Sequence, residues 1–318
     1  MTQSLRVGVI GVGHLGRHHA RIYNDLPFVS LVGIVDINLS TGGTIGKEFG
    51  VPHFENLAAL LPVVDVVSVA VPTSSHYSVV ATCLMHDCHV LVEKPITSHV
   101  WEGEDLVKLA KARGKILHVG HIERFNPIVE SVRPLIKNPG FIECHRLSPF
   151  QPRGTDVDVV RDLMIHDIDL LLSLGLGPIK EVEARGLPVF TTYPDIANVR
   201  VLFESGCLAN LTASRISTGR LRKIRIYQQE RYISVDFGVK EAVINTRKAV
   251  DGDSIDVESQ HIKKEDGDSL TRELECFIQS VLGSNLHQGV SGEEGVEALR
   301  VATQVVDLIQ QHPPSFSS

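Results

Sequence analysis

Along the first third of the chain, unbroken runs of Val, Ile and Leu alternate with longer segments of mixed polarity. The apolar runs, at 5–10, 31–36, 65–71, 89–92 and 116–119, are short and rich in β-branched residues. They lack the every-second-residue polarity of a strand with one wet face, so they predict strands buried on both sides in a parallel sheet. The intervening segments, 14–24, 40–49, 74–86 and about 99–113, predict helices. That alternation predicts a doubly wound α/β domain over residues 1–122.

After residue 122 the rhythm changes. Asn126-Pro127 opens one helix-like stretch, and a second begins near Val159. Strand-like runs follow at 181–185, 197–203, 207–215, 221–227 and 231–236, with Glu204-Ser205-Gly206 as a hairpin turn between two of them. Leu270, Leu274, Phe277, Ile278 and Val281 mark an amphipathic helix, and another spans about 293–311 before Pro313-Pro314. Residues 123–318 therefore predict a second α/β domain with an open, mostly antiparallel sheet. The acidic stretch 251–269 predicts a solvated loop or hairpin tip.

Composition narrows the class of protein. A chain of 318 residues exceeds one comfortable core, and 43% hydrophobic with 22% charged residues is ordinary for a soluble globular protein. A net charge of −7 argues against a general nucleic-acid binder. No apolar run approaches the ~18 residues of a membrane span. The N-terminal patch reads as a first strand, not a signal peptide. Cys83, Cys88, Cys144, Cys207 and Cys276 are odd in number and free of C-x-x-C spacing, which fits reduced thiols in a cytoplasm and gives no metal signature.

Two constellations carry chemistry. Gly11-Val12-Gly13-His14-Leu15-Gly16 is G-x-G-x-x-G directly between a predicted strand and helix. There Gly11 permits a tight turn, Gly13 lets the backbone approach a pyrophosphate, and Gly16 lets helix and strand pack closely. Asp36 stands 20 residues beyond Gly16, where a carboxylate accepts from ribose hydroxyls and repels a 2′-phosphate. No arginine lies in 37–46, so NAD is favoured over NADP. Neighbouring His14, His18 and His19 read as solvent-facing. Two further loops follow predicted strands: Pro72-Thr73-Ser74-Ser75-His76 and Glu93-Lys94-Pro95.

The second constellation is Asp162 to Leu171, DLMIHDIDLL, apolar yet carrying four ionisable residues. At about 100° per residue, Asp162, His166 and Asp169 fall within about 60° of one another, while apolar residues occupy the rest of the wheel. A helix buried nearly all round must turn such a stripe toward a cavity, ligand or partner, because unpaired buried carboxylates are costly. Competing readings are a hydrogen-bonded core His166 with Asp162 bridging Arg161, and a metal set on i, i+4 spacing. Asp167 lies off the stripe and reads as structural. Imidazole beside a carboxylate suits alcohol oxidation, in which a base takes the hydroxyl proton.

The conjunction of the glycine turn, Pro72-Thr73…His76, Glu93-Lys94-Pro95 and Asp162–Asp169 resembles the Gfo/Idh/MocA oxidoreductases over essentially the whole chain. The resemblance implies a Rossmann domain followed by an α/β domain whose open sheet builds homodimers or tetramers. It implies a cofactor set of Gly11, Gly13, His14, Leu15, Gly16, Asp36, Pro72, Thr73, His76, Glu93 and Lys94. It also implies Lys94 beside the substrate hydroxyl, His166 as acid/base with Asp162, and Asp169 one turn further. Gly120-His121-Ile122-Glu123-Arg124-Phe125-Asn126-Pro127 is similar to the UDP-N-acetylglucosamine 3-dehydrogenase branch and adds Arg124 and Asn126 to the substrate set. The basic residues Arg215, Arg220, Arg222, Lys223 and Arg225 offer partners for a diphosphate, or a solvent-facing strand.

The expectation is a cytoplasmic, NAD-dependent sugar dehydrogenase with no metal, acting on C3 of UDP-N-acetylglucosamine, Lys94 and His166 serving one substrate oxygen. The missing export signal and C-terminal additions disfavour a secreted glucose–fructose oxidoreductase. An inositol or free pyranose dehydrogenase, a non-catalytic dinucleotide-binding regulator and a metal-dependent hydrolase are the alternatives.

Overall fold

The computed structural model describes residues 4–151, 157–248, 255–264, 267–283 and 289–312. Packing divides the chain into two units: Met1–His121 with Leu270–Leu299, and Ile122–Ser269 with Arg300–Ser318.

In the first unit the elements are β1 (Leu5–Ile10), α1 (His14–Asp25), β2 (Val29–Val35), α2 (Leu39–Phe49), β3 (His53–Phe54), α3 (Leu57–Leu60), β4 (Val66–Val69), α4 (His76–Met85), β5 (His89–Glu93), α5 (Val100–Arg113) and β6 (Leu117–Gly120). All strands pair in parallel in the order β3-β2-β1-β4-β5-β6. All four residues of β4 are buried, as the unbroken apolar run requires. Helix ends follow local chemistry. The Asn38 side chain accepts from Thr41 N at 3.1 Å to start α2, and Gly50 ends it at φ 67°. Chain order reverses between β1 and β4, so the loops after those strands flank the crevice where doubly wound folds take ligands.

The second unit contains α6 (Pro127–Val132), β7 (Phe141–Leu147), a π turn at Val160–Met164 leading into α7 (Ile165–Leu172), and strands β8 (Ile179–Leu187), β9 (Ile196–Phe203), β10 (Leu208–Ser214), β11 (Leu221–Gln228), β12 (Arg231–Asp236), β13 (Glu241–Lys248) and β14 (Asp256–Lys263). Their order is β14-β13-β12-β11-β7-β10-β9-β8, and every pairing is antiparallel except β7 with β10. The sequence reading lacks β3, β7, β13 and β14. Part of 251–269, expected to be a solvated loop or hairpin tip, is the exposed edge strand β14, paired antiparallel with β13; residues 251–254 and 265–266 lie outside the described set.

Helix α8 (Ser269–Val281) buries Leu270, Leu274, Phe277 and Ile278, with the Phe277 ring 5.4 Å from that of His118. Residues just before α9 (Gly292–Gln311) add to the edge of β6: Val119 N donates to Val290 O at 2.9 Å. The sequence division assigned 270–299 to the second domain, whereas packing groups this stretch with the first unit.

The β8–β9 connection is held by one carboxylate. Asp195 Oδ2 accepts from the backbone N–H groups of Val189, Phe190 and Thr191 at 2.6–2.9 Å, and Oδ1 accepts from Arg215 Nε at 2.8 Å. Burial pushes this carboxyl up, but the three N–H groups and the guanidinium outweigh it and hold it well below the ordinary range. A group so depressed stabilises the fold fully above the unfolded value of about 3.9, and that stability is lost as pH falls toward the folded value. Asp195→Asn is therefore expected to flatten the acid dependence of the urea midpoint below about pH 4. An acid slope equal to the parent's counts against this role.

Candidate active site

The glycine turn joins β1 to α1. Gly11 has φ 82°, and a Cβ there would lie 2.8 Å from Ala70 O; a Cβ at Gly16 would collide with Gly11 O. Backbone geometry and packing thus demand both glycines. Gly13 differs, because its φ is −65° and a Cβ would meet no protein atom within 4 Å. Nothing inside the fold requires glycine there, so the small residue keeps space for something outside it. No side chain caps α1, which leaves its first N–H groups directed at that space. Asp36 closes the turn, accepting from Val12 N and from Asn38 N, each at 2.8 Å. Beyond it stands Ile37, 97% exposed, an apolar surface that sequence reasoning passed over. Uncapped N–H groups, a cleared Gly13 and an acid at the end of β2 fit a dinucleotide: pyrophosphate at the turn, ribose at Asp36 and a flat base against Ile37. His14 and Leu15 are exposed at the same helix start.

The two later loops are joined by His76. It is buried, with Nδ1 2.9 Å from Pro95 O and Nε2 3.0 Å from Val71 O. Burial pushes its ring toward the neutral form, against the pull of those carbonyls. The His76 ring therefore lies between the loop after β5 and the loop after β4, where Thr73–Ser75 form a single 3-10 turn after Pro72. Lys94, half-buried, follows Glu93 at the end of β5, and the Lys94–Pro95 peptide is cis. The solvent-facing reading of His19 is corrected: it is fully buried, with its ring between Ser68 and Glu93. Its position six residues into the helix puts it on the sheet side of α1, a phase that the histidine cluster masked.

In the second unit, four acids around α7 are handled in different ways. Asp169 is 1% exposed and accepts a two-pronged bond from Arg124, Nε at 2.7 Å and Nη2 at 2.6 Å. Asp167 accepts the same fork from Arg146, at 3.1 and 2.7 Å, and Arg146 Nη1 also donates to Glu123 at 2.8 Å. Burial pushes the Arg146 guanidinium down, but Asp167 and Glu123 outweigh it and raise it further above its usual range. Asp158 caps the π turn through Val160 N and pairs with Arg161 at 3.1 Å, so Arg161 finds its carboxylate in Asp158. Asp162 and His166 are left half-buried on a segment whose apolar side chains are otherwise largely buried.

The wheel is corrected at this point, because a π turn spans Val160–Met164 and constant rotation from Asp162 to Asp169 does not hold. Asp169 belongs to an ion pair, as Asp167 does, and Asp162 with His166 remain the candidate chemistry. Asn126 is also part of the frame: buried, it caps α6 through Ile128 N at 3.2 Å and donates to Glu123 at 3.4 Å. Arg215 is likewise taken up by Asp195 and by Val157 O at 2.7 Å, which removes it from the basic set proposed for a diphosphate. Among the described residues, no group of three or more His, Cys, Asp or Glu side chains is arranged to hold a metal ion, and no helix is long and apolar enough to cross a membrane. All five cysteines are buried and free.

The 3-2-1-4-5-6 sheet with this turn defines an NAD-binding oxidoreductase of the Rossmann type. Residues 5–121 match the oxidoreductase family with an NAD-binding Rossmann fold, and residues 145–234 match the GFO/IDH/MocA C-terminal domain. The chain belongs to the Gfo/Idh/MocA family of oxidoreductases. Over 306 residues it is 37% identical to the UDP-N-acetylglucosamine 3-dehydrogenase of Acidithiobacillus ferrooxidans, covering 95% of this chain and 96% of the relative. A solved structure of that enzyme matches at a TM-score of 0.90 with 34% identity, covering 98% and 99% of the two chains. The myo-inositol 2-dehydrogenase of Thermotoga maritima is 26% identical over 314 residues, 93% of each chain.

Gly13→Ala is expected to leave the unfolding midpoint unchanged, because the new methyl meets no protein atom, yet to weaken NAD binding at least about tenfold, or about 1.4 kcal/mol. Titration of NAD alongside thermal unfolding reads both. Unaltered affinity would mean that the cleared space is not the cofactor's.

Proposed function

We propose that this protein oxidises the C3 hydroxyl of UDP-N-acetylglucosamine to a ketone with NAD. The supporting observation is full-length similarity to an enzyme of that name at 37% identity, against 26% for the inositol relative. Bound NAD supplies the hydride acceptor. His166 takes the hydroxyl proton as general base, a step worth about 10²–10⁴ in rate. Lys94, by the family resemblance, is the group that stabilises alkoxide charge as it develops. Asp162, one turn before His166, orients the imidazole or a neighbouring sugar hydroxyl. Arg124 and Asn126 act through the frame, by holding α7 and the start of α6.

The reading extends to assembly and location. Phe141, Tyr227 and Tyr232 form an aromatic row on one sheet face, ring centroids 5.6 and 5.1 Å apart, on the side away from buried Ile142, Ile226 and Ile233. We assign that face to a homodimer or homotetramer contact. Five free, buried thiols suit a reducing cytoplasm.

The test follows nicotinamide absorbance with NAD and a panel of nucleotide sugars, free pyranoses and inositols. Turnover of UDP-N-acetylglucosamine, lost by at least about 100-fold in His166→Ala, supports the assignment. Turnover of inositols alone favours the second reading, and tight NAD binding without turnover of any polyol favours a regulator. For assembly, Tyr227→Glu is expected to lower the mass measured by light scattering; a parent that is already monomeric removes the interface.

A further inference from the structure

Behind the glycine turn, three side chains form one hydrogen-bonded line through the first unit. His19 of α1 is fully buried, with Nδ1 2.6 Å from Ser68 Oγ of β4 and Nε2 3.0 Å from Glu93 Oε1 at the end of β5. An ionised carboxylate only accepts, so Nε2 carries the proton, and in a neutral ring Nδ1 accepts from the Ser68 hydroxyl. Burial pushes the Glu93 carboxyl up, but His19 outweighs that, aided by the Lys94 charge and the Lys94 backbone N–H, which donates to it, and holds it below its ordinary value. Its seat is also closed from the other side. Gly120 of β6 is its register partner, and a Cβ there would lie 3.1 Å from Glu93 Oε2. That contact gives a reason for glycine at the head of the Gly120–Pro127 run.

A polar line through a core costs desolvation that well-packed apolar residues avoid, so fold stability alone does not account for it. Its two ends explain it better. One end lies on the helix that opens at the nucleotide turn, and the other is the residue that directly precedes the lysine. We propose that His19 is a positioning residue for Lys94, acting through Glu93, and that it couples the lysine's placement to the cofactor helix. The proposal rests on Lys94 serving the substrate oxygen, as read above, but its test does not require turnover.

The experiment uses the full chain with NAD and compares the parent with His19→Ala, His19→Gln and Ser68→Ala. Lys94 is read directly by brief acylation and mass spectrometry, with exposed Lys108 as internal standard, next to kcat, KM and the unfolding midpoint. Because acylation reads how an amine is placed and how open it is to reagent, loss of the His19–Glu93 bond is expected to change Lys94 labelling at least about fivefold in His19→Ala. Its kcat falls at least about tenfold, with KM for NAD within about threefold. In His19→Gln the amide N–H can reach Glu93 and the amide oxygen can accept from Ser68, so labelling and kcat return to within about threefold of the parent. A purely structural His19 would lower the midpoint in both variants and leave labelling and kcat per folded molecule unchanged, which overturns the proposal. If His19→Ala does not fold, Ser68→Ala decides: it removes one hydroxyl and is expected to shift Lys94 labelling about twofold in the same direction, and no shift overturns it. A parent that oxidises no polyol ends the functional reading alone, and labelling then judges the positioning by itself.

Discussion

A carboxylate taken out of water must be met by donors, or its burial costs several kcal/mol. Much of this molecule is arranged around that requirement. Asp195 gathers three backbone N–H groups and Arg215, and by doing so shapes a loop between two strands. Asp167 and Asp169 each take a guanidinium fork, from β7 and from the 3-10 turn Ile122–Phe125, and together they set how α7 lies in its unit. Glu93 is met by His19. Where partners come from distant segments, each pair also specifies a tertiary contact that apolar packing alone would leave less defined.

The same requirement marks out the frame around α7. Along the acidic helix, residues 158, 167 and 169 are spent on arginines, whereas Asp162 and His166 keep partial exposure. The π turn places this distinction within one short segment, since Asp162 sits inside it and His166 in the regular helix that follows. A family whose members act on different polyols can keep such a frame and vary the surfaces that meet the substrate.

The first unit was readable because its strands are apolar on both faces and its turn obeys steric rules that only glycine satisfies. The second unit was readable only in part. Strand β7 reads Phe-Ile-Glu-Cys-His-Arg-Leu, and its core face includes Arg146, which makes sense only once Asp167 and Glu123 are in place. Strand β14 lies at an exposed sheet edge and carries no apolar alternation to detect. The wheel assumed one helical pitch from Asp162 onward, which the π turn breaks, and it could not show that the Asp169 carboxylate is already met by Arg124. Arg124 and Asn126 read as ligand contacts since a sequence does not show that a polar side chain is already engaged. His19 was missed for the opposite reason: in a cluster of three histidines, only the helix phase marks the buried one.

The return of residues 270–299 to the first unit has a consequence for how the protein is made. When β6 leaves the ribosome, all six parallel strands exist, but the segment whose carbonyl accepts from Val119 N–H and the helix that carries Phe277 to His118 are still more than a hundred residues away. The nascent sheet must wait with one border and one apolar flank uncovered while the whole antiparallel sheet is synthesised. Completion of the nucleotide-binding half is thereby deferred until residues 270–299 have been made, and until then its open border and apolar flank are the kind of surface through which partly folded chains associate.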